Sequence, residues 1–481
     1  MSALWRKKFK KQGRTISLSL NEYLNNKDNH GFIHNYSEFY NDQNLLDSSY
    51  NLDQKKINKS NSNSFTGKLT YTEPLTKFLS LVVNYGADIQ NTASDILSYN
   101  KDLNGDYNII DSTYSNHYIY NQFTNSGGVS FVYNKKKINF NFGTDAGATQ
   151  YRQKNTFISP QQTLNRNFVN WKPNASFQYK FSQQNSFRIR YNGQTQQPSI
   201  SQIQPVANNT DNLNIYIGNA NLKPYFTHSL SASFNHYNAL SNLGFFVYGN
   251  YYATVNPIVG DISTNDTTGQ SIISYFNLNN SSISNYYVGA GYYQPWKKIG
   301  VNYEFRFFMN GSKQASLIND VANYTQSNTY QVSAAIYKYK EKKIDINLNA
   351  TGGYTKSTST LQNQINNNYW SIDAGHNVTV YLPQKFQIET DGHYTWQQKT
   401  QTFAEHSQYI WNAWIGRTFL KKDGLLVKFS ANDILNQNVG YNRTPMDRGF
   451  QLNAHTTIKR YFMFSVVWDF SKMGNGGETK K

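Results

Sequence analysis

Apolar and polar residues alternate one by one through many segments of this chain, and this alternation restricts its fold more than any other feature. Residues 138–142, 187–191 and 301–307 each carry an apolar side chain at every second position. Successive side chains of a β-strand point to opposite faces, so this period predicts strands with one apolar and one polar face. Helical spacing is scarce, and we therefore predict an all-β fold.

Short and long connections alternate between the predicted strands. Every other connection is predicted to be long and rich in Asn, Ser and Thr, as in residues 91–117 and 207–223. Outer-membrane barrels combine short periplasmic turns with long external loops, whereas a soluble sandwich or propeller need not place all its short turns at one end. Nine segments rich in Lys, Gly, Pro and Asn are the predicted hairpin turns: residues 10–13, 72–77, 134–137, 182–185, 238–242, 295–298, 338–343, 383–385 and 421–424.

Composition separates a membrane barrel from the other all-β classes. Aromatic residues make up 16% of the chain and charged residues also 16%, against about 25% charged in soluble domains. The aromatic content argues against disorder, and no apolar run approaches the roughly 18 residues of a membrane-spanning helix. The absence of Cys fits an oxidising or external compartment. We predict a transmembrane antiparallel up-and-down β-barrel of the bacterial outer membrane.

The final alternating segment, residues 462–470, predicts a last strand with an aromatic lipid-facing side. The expected lipid-facing aromatics are Phe462, Phe464, Trp468 and Phe470. Nine turns join eighteen strands, and this last segment brings the count to about nineteen. Because that number is odd, the first and last segments run in the same direction, and closing the barrel requires further strands. We expect residues 1–471 to form a barrel wall that is incomplete at its N-terminus, and residues 472–481 to form a polar tail.

Several strings are similar to a known family. Residues 4–18, residues 198–206, the string Gly218-Asn-Ala-Asn-Leu-Lys-Pro224, and residues 432–438 with 460–464 resemble the outer-membrane β-barrel family allied to TonB-dependent receptors. The resemblance covers the whole chain in order. It implies a 22-stranded barrel whose lumen is closed by an N-terminal plug domain. No plug and no energy-coupling segment is recognisable in this sequence, so the resemblance implies the wall of an importer, with plug and first strands missing.

The polar faces of the predicted strands carry charges of both signs, which we expect to line the lumen. A wall that docks a plug or lines a wet channel is compatible with such charges. Glu389, Asp391 and His393 share one face of one strand and are a weak candidate for a metal or acid–base group; internally paired charge is the simpler interpretation. The lumen-lining candidates are Lys180, Arg188, Arg190, Glu304, Arg306, Asp345, Glu389, Asp391, His393 and Lys428.

Two further motifs have structural explanations. Gly218, Asn219, Asn221, Leu222, Lys223 and Pro224 suit a turn followed by the first residue of a strand, and ligand contact is the alternative. Asp102, Asn104 and Asp106 are spaced as in a calcium loop. That segment lacks the Gly and the Glu of the calcium-binding pattern, so a plain Asx-rich loop is favoured. No metal and no cofactor is predicted.

Function is predicted from architecture, since no catalytic motif stands out. The nine His residues form no zinc-protease motif, and nucleophile-elbow and phosphate-loop patterns are missing, so we do not expect an enzyme. The net charge of +17 comes largely from Lys in the turns, which does not favour nucleic acid. We expect outer-membrane lipid, a plug, an unknown nutrient and, through the plug, the TonB energy-coupling complex as partners. A passive or structural barrel and a surface ligand-binding protein without transport remain alternatives.

Overall fold

The computed structural model describes residues 1–41, 43–157, 162–203, 207–209, 214–265, 270–361, 368–420, 423–446 and 449–469. Strands dominate this part of the chain. Its helical segments are one turn of α-helix, α1 (Ile200–Ile203), and two 3-10 turns, Ser112–Tyr114 and Pro383–Lys385. None of these helices is long or apolar enough to cross a membrane.

The strands are β1 (Ser2–Lys8), β2 (Thr15–Tyr40), β3 (Leu46–Pro74), β4 (Leu79–Lys101), β5 (Tyr107–Ile110), β6 (Asn116–Lys135), β7 (Ile138–Asn155), β8 (Gln162–Lys180), β9 (Asn185–Gln196), β10 (Ala207–Asn208), β11 (Asn214–Ile217), β12 (Tyr225–Asn238), β13 (Leu243–Val255), β14 (Ile258–Thr264), β15 (Ser271–Asn277), β16 (Ser282–Trp296), β17 (Val301–Ile318), β18 (Val321–Lys340), β19 (Ile344–Ser359), β20 (Tyr369–Tyr381), β21 (Phe386–Gln397), β22 (His406–Phe419), β23 (Leu425–Asn432), β24 (Gly440–Met446), β25 (Gly449–His455) and β26 (Tyr461–Trp468).

Nineteen of these strands form one continuous wall, in which each pairs antiparallel with the next. The order is β1–β2–β3–β4–β6–β7–β8–β9–β12–β13, followed by β16 to β23 and then β26. The predicted all-β, up-and-down architecture with about nineteen strands is confirmed. Among the described residues no strand pairing joins β1 to β26, so both edges of the wall are open.

The nine predicted short turns all lie at one end of the wall, which we call the inner end. They join β1 to β2, β3 to β4, β6 to β7, β8 to β9, β12 to β13, β16 to β17, β18 to β19, β20 to β21 and β22 to β23. Several contain a residue with positive φ, such as Gly13, Lys136 and Gly300. Glycine adopts this left-handed conformation without strain, which suits it to tight turns.

The expectation that every connection at the opposite, outer end is long is wrong at several places, two of which close long hairpins. β2 and β3 pair over their whole length and are joined by residues 41–45. β17 and β18 are joined by Asn319 and Asp320 alone, both with positive φ, as a two-residue hairpin requires. Backbone groups pair along polar strands as well as along alternating ones, so these Asn- and Ser-rich segments extend the hairpins instead of forming loops.

The register defines two faces of the wall. Directly opposed residues of antiparallel strands lie on the same face, so the faces can be followed from strand to strand. The apolar face carries large exposed side chains, among them Phe305 (54% exposed) and Val332 (60%). The polar face carries Thr149 and Tyr151, which are buried. A small hydrophobic cluster of Tyr120, Tyr151, Ile203 and Leu222 lies on the polar face, where the connection between β9 and β12 folds over the wall.

The last wall strand places its predicted aromatics on the apolar face. Phe462 is 64%, Phe464 69% and Trp468 49% exposed. The ring of Phe462 stacks on Phe429 of β23 with the ring centroids 6.1 Å apart. Phe470 and the predicted tail, residues 472–481, lie outside the described residues.

Candidate functional site

All ten charged residues predicted to line the lumen lie on the polar face. Starting from Tyr151, the cross-strand pairs reach Lys180 on β8, Arg188 and Arg190 on β9, Glu304 and Arg306 on β17, Asp345 on β19, Glu389, Asp391 and His393 on β21, and Lys428 on β23. They are spread around the wall, and the structure does not bring the ten into one cluster.

Glu304 and Arg306 form the most compact charged group on this face. Arg306 Nε donates to Glu304 Oε1 at 2.6 Å, and Nη2 donates to Oε2 at 2.7 Å. The Tyr337 hydroxyl donates to the same carboxylate at 3.3 Å. The group borders a niche of about 190 Å³, which we call the polar niche; it is also lined by Ser333, Asn347, Asn349 and Thr351. The ion pair is internally neutral and leaves further guanidinium N–H groups for a ligand.

The three residues considered as a metal or acid–base group are each engaged separately. Asn412 donates to Asp391 at 2.8 Å, and Thr379 donates to Glu389 at 3.3 Å. His393 Nε2 lies 3.1 Å from Asp373 Oδ2. No group of three or more potential metal ligands occurs within the described ranges. Glu389, Asp391 and His393 are therefore each paired separately with a residue of a neighbouring strand.

The main cavity lies on the polar face of β3 to β9, under the start of the connection that follows β9. Its volume is about 650 Å³. Two acidic residues, Asp88 and Asp145, and two basic residues, Lys68 and Lys172, balance its charge. Hydroxyl and amide side chains make up most of the remainder: Thr66, Asn84, Gln90, Tyr120, Gln122, Thr124, Ser126, Asn170, Gln194, Gln196, Gln197 and Ser199. Such a lining suits a polar ligand of low net charge.

The sequence reasoning missed this cavity, because its lining comes from six strands. A local signal does exist in each strand. Gln122, Thr124 and Ser126 alternate on β6, and Gln194 and Gln196 alternate on β9. Recognising that these rows share a site requires the strand register.

The Gly218–Pro224 motif lies next to the outer border of the cavity. β12 begins at Tyr225, directly after Pro224. Leu222 is 1% exposed within the hydrophobic cluster, and its carbonyl accepts a hydrogen bond from Arg166 of β8. Asn219 donates to the Tyr275 carbonyl at 2.7 Å. These contacts hold the connection against the wall.

A second group of contacts fixes the outer connections near Lys56. This residue lies on the outer part of β3, 18 positions before its inner end at Pro74, so at about 3.3 Å per residue it is beyond an apolar band about 25 Å tall. Its Nζ donates to Ser98 Oγ at 2.8 Å and to Asn209 Oδ1. Asn209 in turn donates to Gln54 at 3.1 Å. Burial lowers the pKa of Lys56 to about 8.

The calcium-loop candidate forms an Asx-type turn in the outer connection after β4. Asp102 Oδ1 accepts the backbone N–H groups of Asn104 and Asp106, both at 2.9 Å. Asn108 donates to Asp102 Oδ2 at 2.6 Å. The hydrogen bond from the backbone N–H of Asp106, and next the one from the side-chain amide of Asn108, hold the pKa of the Asp102 carboxyl below its usual range. The Asp102 carboxylate is thus used within its own turn.

Comparison with protein families identifies the group to which the wall belongs. Residues 7–330 and 312–468 match the family described as "Outer membrane protein beta-barrel family". The chain belongs to this family. The protein is accordingly located in the bacterial outer membrane. A comparison with curated proteins returned no match.

Several solved structures are similar to this chain at low identity and low TM-score. The copper transporter OprC is 10% identical, with 98% of this chain and 79% of that chain covered at a TM-score of 0.41. The ferripyoverdine receptor of the outer membrane of Pseudomonas aeruginosa is 10% identical, with 98% and 65% covered at 0.42. The RagAB peptide importer in its closed-closed state is 10% identical, with 90% and 68% covered at 0.40. At these values the likeness carries no conclusion about a ligand.

Proposed function

We propose that this chain forms the wall of an outer-membrane importer that binds a nutrient at the cell surface and passes it through the barrel lumen. The main cavity carries the proposal. At about 650 Å³ it falls within the 300–1,000 Å³ of typical small-molecule sites. It lies on the polar face, which would line the lumen. We therefore assign the ten charged residues and the cavity residues to the lumen wall.

The open edges support the proposal that further strands complete this wall. Backbone groups left unpaired in lipid cost several kcal/mol each, so only a closed barrel is stable there. β1 and β26 run in the same direction and have no second wall neighbour among the described residues. The family resemblance implies extra strands and a plug. We propose that the full-length protein supplies both and that the plug couples transport to the TonB complex.

Nutrient depletion by cells tests this function. Cells that express the full-length protein, and cells that lack it, are incubated with defined oligosaccharides, peptides and chelated iron, and loss from the medium is measured by mass spectrometry. We expect at least one class to be depleted only by expressing cells, and a protonophore to stop the depletion. Depletion that resists the protonophore indicates a passive porin. Cell-surface binding without depletion indicates a binding protein.

A matched pair of variants connects the result to the cavity. Thr124 lines the cavity, whereas its neighbour Phe123 lies on the apolar face. Thr124→Trp should fill the cavity and reduce uptake, and Phe123→Trp should leave uptake unchanged because the ring stays on the apolar face, away from the cavity. Equal uptake by the two variants would contradict the assignment of the cavity.

A further inference from the structure

Four aromatic side chains form a strip on the polar face, where the alternation of the wall calls for polar residues. Phe246 and Tyr248 project from β13, Tyr287 from β16 and Phe308 from β17. We call these four residues the aromatic track. The centroid distances along it are 5.9 Å from Phe246 to Tyr248, 5.3 Å from Tyr248 to Tyr287, and 6.2 Å from Tyr287 to Phe308. The rings therefore form a continuous path across three strands.

Two rings of the track lie against glycines of the wall. A Cβ atom at Gly291 would overlap the ring of Phe246, and one at Gly289 would come within 2.6 Å of the ring of Tyr248. The rings of Phe246 and Tyr248 thus each cover a glycine of the neighbouring strand on the polar face. Covering a glycine also stabilises a sheet. The track continues beyond these two glycines, through the hydrogen-bonded hydroxyls of Tyr248 and Tyr287, 2.6 Å apart, to Phe308.

The track adjoins the polar niche. Arg306 precedes Phe308 by two positions on β17 and therefore shares its face. Beside the flat rings, the lumen side thus offers the guanidinium and carboxylate of the Arg306–Glu304 pair and the Tyr337 hydroxyl. The track and the cavity overlap in depth along the wall: Phe246 is the fourth residue of β13 after an inner turn, and the cavity extends from Asn84, the sixth residue of β4, to Gln194, the tenth of β9. A solute in the lumen could therefore reach both surfaces.

We infer that the aromatic track and the polar niche bind the rings of a neutral oligosaccharide on its way through the lumen. A hexose ring presents C–H groups on its faces and hydroxyls at its rim, so it can lie on an aromatic ring while its hydroxyls bond to charged partners. The inference rests on the proposed function, whose substrate class it names.

Other ligand classes fit this surface less well. The Glu304–Arg306 pair is internally neutral, so it offers no excess charge to an anionic or cationic ligand. A peptide that binds as an added strand needs a free strand edge. β12, β13, β16 and β17 are each paired on both sides within the wall. Their backbone groups are therefore unavailable to such a peptide.

Calorimetry on the purified full-length protein in detergent tests the inference. The probes are linear hexasaccharides of glucose with α-1,4 or β-1,4 links, a mannose hexasaccharide, and a neutral tyrosine-containing hexapeptide. We expect at least one hexasaccharide to bind with a millimolar or lower Kd and the peptide not to bind. Binding of the peptide alone, or of no probe, would overturn the inference. Energised uptake of another nutrient class would still support the proposed function.

Variants of two neighbouring tyrosines provide the matched control. Tyr287 belongs to the track, whereas Tyr286 lies on the apolar face over Gly311. Tyr287→Ala should raise the Kd for the hexasaccharide about tenfold, which corresponds to roughly 1.4 kcal/mol. Tyr286→Ala should leave it within twofold. Equal losses in the two variants would overturn the inference, because they would reflect damage to the wall.

Two conservative variants keep the test informative if Tyr287→Ala does not assemble. Tyr248→Phe retains the ring and should bind the hexasaccharide within about threefold of the original protein. Glu304→Gln retains the size of the side chain but breaks the ion pair, and it should weaken binding severalfold because Arg306 loses its partner. Assembly of each variant is checked by heat-modifiable gel migration. Unchanged binding in Glu304→Gln would contradict the role of the polar niche.

Discussion

A charge placed on the apolar face should be far more costly than the same charge one position along on the polar face. Val129 and Ser130 of β6 provide the comparison. Val129 is 40% exposed on the apolar face, opposite Val83 and Thr144. Ser130 lies on the polar face, opposite Val82 and Gly143. The two substitutions compared are Val129→Arg and Ser130→Arg.

The position of Val129 sets the expected magnitude. It lies six residues before Lys135, where β6 ends at an inner turn. A rise of about 3.4 Å per residue and a tilt of about 40° place it about 16 Å from that turn, near the middle of an apolar band about 25 Å tall. Arg at the midplane costs about 2–4 kcal/mol. Ser130→Arg should cost less than about 1 kcal/mol, because its guanidinium stays in water.

Guanidinium unfolding of the full-length protein in phospholipid vesicles, followed by Trp fluorescence, measures both free energies. The expected result is a loss of unfolding free energy for Val129→Arg that exceeds the loss for Ser130→Arg by about 1–4 kcal/mol. Similar losses for the two variants, or a larger loss at Ser130, would refute the assignment of the two faces.

Three further predictions concern the fold and the outer connections. Circular dichroism in detergent should be β-dominated, since strands form the wall, and more than about a third helix would contradict the fold. Leu222→Ala should reduce the local stability of its connection by about 2–4 kcal/mol, because Leu222 is 1% exposed; unchanged hydrogen exchange around residue 222 would contradict this. The stability of the original protein relative to the variant Lys56→Met should increase as the pH rises from about 8 towards 10.5. The reason is that burial lowers the pKa of Lys56 in the folded protein. A flat or falling difference would show that Lys56 is not buried.

The turns and the number of wall strands could be predicted from the sequence because both depend on local signals. The Lys- and Gly-containing segment around residues 297–300, for example, interrupts two alternating segments and forms the turn between β16 and β17. The length of the outer strands could not be predicted in this way. Residues 60–64 are all Ser or Asn, so no apolar period marks them as a strand. They form part of β3 because they pair with β2 and β4.

The alternation also predicted which charged residues share a face, but not their partners. Asp391 accepts a hydrogen bond from Asn412, and His393 pairs with Asp373, in each case on a neighbouring strand. Such contacts depend on register, which a single sequence does not specify. The aromatic track could not be predicted for the same reason. Tyr286 and Tyr287 are adjacent in sequence, and only the register shows that Tyr287 lies with Tyr248 and Phe308 on the polar face.

Site-specific labelling along β18 distinguishes a wall that has one side in lipid and the other in water from a wall that is in water on both sides. The chain contains no Cys, so single-Cys variants at each position from Thr329 to Ile336 can be labelled in intact outer membranes with a water-soluble maleimide. We expect labelling at Thr329, Gln331, Ser333 and Ala335 on the polar face, and protection at Tyr330, Val332, Ala334 and Ile336 on the apolar face. Uniform labelling along the strand, or labelling of the apolar set alone, would contradict this expectation.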